Sequence, residues 1–140
     1  LKELIYGQKG LQEMIQLFPN HGNPAYLVDS SFKVLAIDKA PVLSEISAIW
    51  KHLVTYGYLS YDILDQMRRA DEIRLMDSYE KAVIFHLDSF NNPFINYNLR
   101  WEGKIRGHLF IVGISKKLPA GMKLMQITWA GWCFWHWKKI

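Results

Sequence analysis

Few residues in this chain have a type and spacing that could do chemistry. The five histidines, His21, His52, His86, His108 and His136, are scattered. None has the i+2 or i+4 partner that a local metal site would show. His86 and His108 fall on two different strand-like runs and could approach across a sheet, but no third ligand accompanies them. The single cysteine, Cys133, lies in the run Trp129-Ala130-Gly131-Trp132-Cys133-Phe134-Trp135. An apolar setting raises a thiol pKa instead of activating it, and one cysteine excludes an internal disulfide or a cysteine-based zinc site. Gly-x-Ser-x-Gly, P-loop, dinucleotide-binding and His-Glu-x-x-His motifs are all absent from the sequence. The expectation is a protein that is not an enzyme, with no catalytic residues, metal or cofactor.

Polar residues inside a strand are the more informative signal. Phe94-Ile95-Asn96-Tyr97-Asn98-Leu99-Arg100-Trp101 and Lys104 to Ile114 flank Glu102-Gly103, which reads as a two-residue hairpin turn. In that register Trp101 faces Lys104, and pairing continues as Leu99–Arg106, Tyr97–His108 and Ile95–Phe110. The opposite face then carries Asn96, Asn98 and Arg100 beside Ile105, Gly107 and Leu109. Amides buried in a sheet need hydrogen-bond partners. Either a small polar ligand supplies them, or the two asparagines lie near an edge and meet water. Tyr56, Tyr58 and Tyr61 cluster elsewhere, where they either wall a pocket or serve as half-buried packing. The candidate ligand-binding set is Tyr58, Tyr61, Asn96, Asn98, Arg100 and His108.

The elements that must position these residues follow from periodicity. Leu11, Met14, Ile15 and Phe18 lie on one helical face, and Pro19 with Asn20-His21-Gly22-Asn23-Pro24 ends that helix. Ala25–Val28 and Phe32–Ile37 read as a hairpin around Asp29-Ser30-Ser31. A helix from about Ser44 presents Ile46, Ile49, Trp50 and Leu53. Ser60 caps another that buries Ile63, Leu64 and Met67, and a short third begins near Asp71 with Ile73 and Met76. Ala82–Leu87 reads as a central strand. The order predicts an α+β protein with a mostly antiparallel five-stranded sheet and helices packed on it.

The 140 residues suit one domain, and half of them are apolar, enough for a core. Nothing in Leu1–Ile5 resembles a signal-peptide core, so a cytoplasmic location is expected. The net charge of +4 is uneven: residues 103–140 hold seven basic side chains and no acidic one. That reads as a solvated basic end, with a nucleic-acid surface as the alternative. The final segment, Met122–Ile140, is helical in pattern but too aromatic for one stripe. Lys123, Gln126 and His136 interrupt it, which argues against a membrane span. An exposed apolar patch of this size points to a homodimer, with Met14, Trp129, Trp132 and Trp135 at the interface.

Three pieces of the chain carry a family resemblance. Gly22-Asn23-Pro24-Ala25-Tyr26-Leu27-Val28-Asp29-Ser30-Ser31-Phe32-Lys33-Val34-Leu35-Ala36 resembles the opening hairpin of GAF/PAS-like sensor domains. Such domains stand at the N-terminus of bacterial transcription regulators of the purine-catabolism and sugar-diacid type. Trp50 with Tyr56-Gly57-Tyr58-Leu59-Ser60 is similar to their helix junction, and Leu99 to Leu109 to their last two strands. The resemblance spans roughly residues 8–120. It implies a small-molecule-sensing and dimerisation domain that signals through its terminal helices, with an unknown metabolite as ligand. The last helix departs from the pattern in being aromatic, and no DNA-reading helix follows it. DNA would therefore be reached only through an effector domain absent from this chain. The alternative is a ligand-free structural dimerisation domain; a small-molecule enzyme would need a nucleophile or general base in the cleft.

Overall fold

The chain alternates short β-branched runs with amphipathic helices, and the elements form where those patterns place them. The computed structural model describes residues 23–38, 48–90 and 92–113, together with Gln12 and Ile15. Among the described residues there are five strands, β1 (Ala25–Asp29), β2 (Val34–Ile37), β3 (Val83–Phe85), β4 (Phe94–Trp101) and β5 (Lys104–Val112). Three described helices lie between β2 and β3: α1 (Ala48–Tyr56), α2 (Tyr61–Arg69) and α3 (Glu72–Asp77). The sheet is antiparallel throughout, in the order β2-β1-β5-β4-β3. It is an α+β fold.

Local chemistry sets the boundaries. Asp29 Oδ1 accepts from the backbone N–H groups of Ser31 and Lys33, at 2.9 and 3.0 Å, and closes the β1–β2 turn. Phe32 leaves that turn with φ 64°, an unusual conformation for a bulky residue. It is held there by hydrogen bonds from its N–H to Asp29 O and from Leu59 N–H to its carbonyl. Gly57, at φ 78°, ends α1, where a side chain would be strained. The hydroxyl of Ser60 caps α2 by accepting from Ile63 N–H at 3.4 Å. Glu102 (φ 53°) and Gly103 (φ 75°) both have the positive φ that a two-residue hairpin turn with native twist requires.

Two sequence expectations are corrected. The Ala82–Leu87 run is an edge strand, not a central one: β3 is three residues long and pairs only with β4. The β4–β5 register starts as expected, with Trp101 opposite Lys104, but then slips. Arg100 faces Ile105 while Leu99 faces Gly107, so Arg106 is the extra residue of a β-bulge. One inserted residue exchanges the faces of everything beyond it, because side chains alternate with period two. Asn98 therefore faces His108 and Asn96 faces Phe110, in place of Tyr97–His108 and Ile95–Phe110.

The bulge sorts the sheet. One face gathers Ala25, Leu27, Ile95, Leu99, Leu109 and Ile111, with Ile15 of the N-terminal helical segment packed on it. The other gathers Tyr26, Val28, Phe85, Phe94 and Phe110 beneath Trp50, Leu53, Leu64, Met67 and Met76 of the three helices. Tyr26 stacks on Phe110 and meets Trp50 edge-on, with ring centroids 4.9 and 5.4 Å apart. At the free edge of β2, the Gln12 side chain acts as a substitute strand. Its amide oxygen accepts from Ile37 N–H at 2.9 Å, and its nitrogen donates to Ile37 O. Side-chain capping of this kind leaves less of the edge open to another chain.

Candidate functional site

Asn96 and Asn98 are both buried, 1% and 4% exposed. β3 pairs with β4 only as far as Asn96, and Asn98 lies beyond it against the end of α3. With His108, itself 2% exposed, they form one polar island among the aromatic rings of the helix-covered face. The water-exposed reading of these amides is excluded.

The hydrogen bonds of the island fix every orientation in it. Asn98 Nδ2 donates to the carbonyls of Met76 and Tyr79, at 2.8 and 2.9 Å. Both partners are acceptors, so the amide nitrogen must stand there and Oδ1 must point to the other side. Oδ1 accepts from Asn96 Nδ2 at 2.9 Å and lies 2.8 Å from His108 Nδ1. The Nδ1 position of His108 therefore carries the proton. Burial holds the imidazole neutral by lowering its pKa to about 4, so Nε2 keeps a lone pair.

Two acceptors of this relay lack donors. Asn96 Oδ1 is buried with no hydrogen-bond partner. Asp77 Oδ1 is buried and unpaired as well, 3.8 Å from His108 Nε2. At that distance two lone pairs face each other without a bond. Desolvation raises the Asp77 pKa, and the Arg100 guanidinium works against it. Arg100 Nη2 also donates to Asp77 O at 3.2 Å. Two of the last carbonyls of α3, those of Met76 and Asp77, thus accept from side chains of β4. Arg106 Nε at the bulge is also buried without a hydrogen-bond partner.

Phe32 roofs the island. Its ring stacks on the His108 imidazole, with centroids 5.1 Å apart and planes 13° from parallel. The unusual backbone at Phe32 is what aims that ring at His108. Outside the island, a surface cleft of about 310 Å³ opens between α2 and α3, lined by Arg68, Asp71, Ile73, Arg74 and Asp77. Asp77 belongs to both the cleft and the island.

No family model matches the chain, and no curated protein matches it. The residues themselves must carry the argument.

Of the six candidate ligand-binding residues, the fold brings together Asn96, Asn98, Arg100 and His108. Tyr58 and Tyr61 belong to a different cluster. They form a strip of rings with His52 and Tyr56, at centroid distances of 4.7 to 6.3 Å, and Tyr61 is 75% exposed. His52 Nδ1 lies 2.9 Å from Tyr58 O. His86 and His108 do not meet across the sheet: β4 runs between β3 and β5, and His86, just past the end of β3, is exposed. Among the described residues no group of three His, Cys, Asp or Glu side chains could hold a metal ion. Met14, Trp129, Trp132 and Trp135 lie outside the described residues, as do Cys133 and His136. No helix among the described residues is long and apolar enough to cross a membrane.

Sequence reasoning missed Asp77 and Phe32. Asp77 has no motif around it, and Phe32 reads as the start of a strand; only the tertiary contacts join them to His108. The signal for Phe32 was its place directly after the polar Asp29-Ser30-Ser31 turn, where the backbone has to reverse.

Proposed function

We propose that the chain is a small-molecule-sensing and dimerisation domain of a bacterial transcription regulator, of the GAF/PAS-like kind its sequence resembles. It works in the cytoplasm, reaches DNA through an effector domain, and signals through its terminal helices. The antiparallel five-stranded sheet with helices inserted between β2 and β3 supports this reading. The observation that carries it is the Asn96–Asn98–His108 relay, buried beneath those helices and bonded to the last turn of α3. Buried polar groups short of partners are costly, and a receptor site is one reason to keep them. Because Asn98 ties β4 to α3, a guest that engages the relay biases the position of the helix against the sheet. Signalling then requires unequal affinity for the two arrangements.

Thermal-shift screening of the full chain with pooled metabolites, followed by sedimentation with each hit, tests the proposal. The expected result is a hit that raises the melting temperature and changes the monomer–dimer balance. A chain indifferent to every pool, or monomeric at all concentrations, overturns it.

One observation favours a second reading, a structural dimerisation domain without a ligand. Both hydrogens of the Asn98 amide, and its oxygen, are already taken up by protein groups. That reading expects a dimer whose stability no small molecule changes.

A further inference from the structure

Asp77 Oδ1 is buried without a hydrogen-bond partner and faces His108 Nε2 at 3.8 Å. The proton on His108 Nδ1 makes Nε2 an acceptor as well, so two lone pairs are set against each other. A heavy atom in line between them would need about 2.8 Å on each side, which the gap does not have. A proton needs no space of its own. Placed between the two atoms, it turns the contact into an O–H···N hydrogen bond and closes the separation to about 2.8 Å.

The surroundings let solvent reach one partner and hold the other fixed. Oδ1 is buried, but the Asp77 side chain as a whole is 40% exposed, so its carboxylate exchanges protons with water. His108 is buried, and Asn98 and Phe32 fix its ring. The charged groups around Asp77 are Arg100 of β4, which donates to its carbonyl, and Arg68, Asp71 and Arg74 along the cleft. Arg74 is engaged with Asp71. Desolvation favours the neutral acid at Asp77, whereas Arg100 favours the carboxylate. Around His108 stand Val28 of β1, Phe32 of the β1–β2 turn, Asn98 of β4 and Phe110 of β5, all uncharged.

We propose that Asp77 and His108 form a proton-operated latch: one proton taken from solvent bridges Oδ1 and Nε2 and fastens the end of α3 to β5. The proton neutralises the carboxylate, and the carboxyl moves about 1 Å towards the sheet. The Met76 and Tyr79 carbonyls, held by Asn98 on either side of Asp77, keep the rest of the turn in place. Latching also removes one negative charge from the cleft that Asp77 shares with Arg68, Asp71 and Arg74. The latch needs no metabolite and stands apart from the sensing reading.

Nuclear magnetic resonance of the full chain, from neutral to mildly acid pH, tests it at the His108 ring nitrogens and the α3 amides. Asp77→Ala is the reference, because it offers neither donor nor acceptor and replaces a partly exposed side chain. In the parent, the Nε2 resonance is expected to move upfield in one step. Over the same range its α3 amides become about three- to tenfold better protected from exchange than those of Asp77→Ala at matched pH, the worth of one buried hydrogen bond. Asp77→Asn presents an amide N–H to Nε2 at every pH, so it is expected to show that extra protection already at neutral pH, without a step. Arg100→Gln is expected to move the step to higher pH, since the charge that favours the carboxylate is gone. An Nε2 resonance that stays constant until the chain unfolds overturns the latch. So does a step that survives in Asp77→Ala, which places the proton on His108 alone. If Asp77→Asn is no better protected than Asp77→Ala, the bridge does not fasten α3 and the proposal falls.

Discussion

Leu27, Ile95, Leu99, Leu109 and Ile111 meet one another on one face of the sheet, an aliphatic layer with no polar side chain in its buried cluster. On the other face the same strands present Tyr26, Val28, Phe94 and Phe110 around Asn96, Asn98 and His108. Both faces are buried, so exposure does not explain the difference. The first face needs only volume to be filled, whereas the second has to satisfy each donor and acceptor individually. The strands could have been apolar on both sides. The polar island sits where α3 ends, and it serves that helix by capping its carbonyls. It also leaves two acceptors, Asn96 Oδ1 and Asp77 Oδ1, without donors.

The sharpest way to break this comparison is Asn98→Leu. The substitution removes the partners of the Tyr79 carbonyl, the Asn96 Nδ2 and the His108 Nδ1–H, at about 1–3 kcal/mol for each orphaned group. A loss of about 4 kcal/mol in chemical denaturation is expected. A neutral result would mean that the island plays no part in holding α3. Leu109→Ala probes the aliphatic face, where a buried side chain 1% exposed leaves a cavity worth about 3 kcal/mol. Its cost should be insensitive to pH.

The polar face, in contrast, should respond to acid. The folded pKa of His108, about 4, lies below the ordinary histidine value of 6.5. The unfolded chain therefore binds more protons between these values, and stability falls as the pH drops through that window. The maximum loss is about 3 kcal/mol. Asp77 acts in the opposite sense, since its raised pKa favours the folded state as acid is added, so the observed slope will be shallower. Stability curves for the parent and His108→Leu measure the difference. The variant should lose the fall in stability and keep only the opposite contribution of Asp77, and a parent curve that matches the variant's would contradict the buried neutral imidazole. Gly57→Ala provides the baseline, because it touches neither face. An added Cβ meets nothing within 4 Å, so only the positive φ is penalised, at about 1 kcal/mol by thermal unfolding.

Much of the fold was legible because it depends on short-range signals. The Glu102-Gly103 turn, the Ser60 cap and the spacing of Leu64 and Met67 each lie within a few residues, where dihedral preference and period decide the outcome. The candidate site was legible only in part. Asn96 and Asn98 stood out as polar residues in an apolar strand, and His108 and Arg100 were near them. Their partners were hidden, since Met76 and Tyr79 contribute backbone carbonyls, which no residue type announces.

What the sequence determined by itself was the set of elements, the hairpin turn and the presence of amides that must find partners, all consequences of local sterics and of the cost of burying polar groups. The tertiary structure decided which face those amides share. One extra residue, Arg106, turns His108 and Phe110 towards Asn98 and Asn96. A bulge has no local pattern of its own, because it arises where twist, turn and two buried faces must be reconciled at once. The same packing brought Asp77 and Phe32 to His108 across long stretches of chain, and only three-dimensional contact could have made those residues parts of one site.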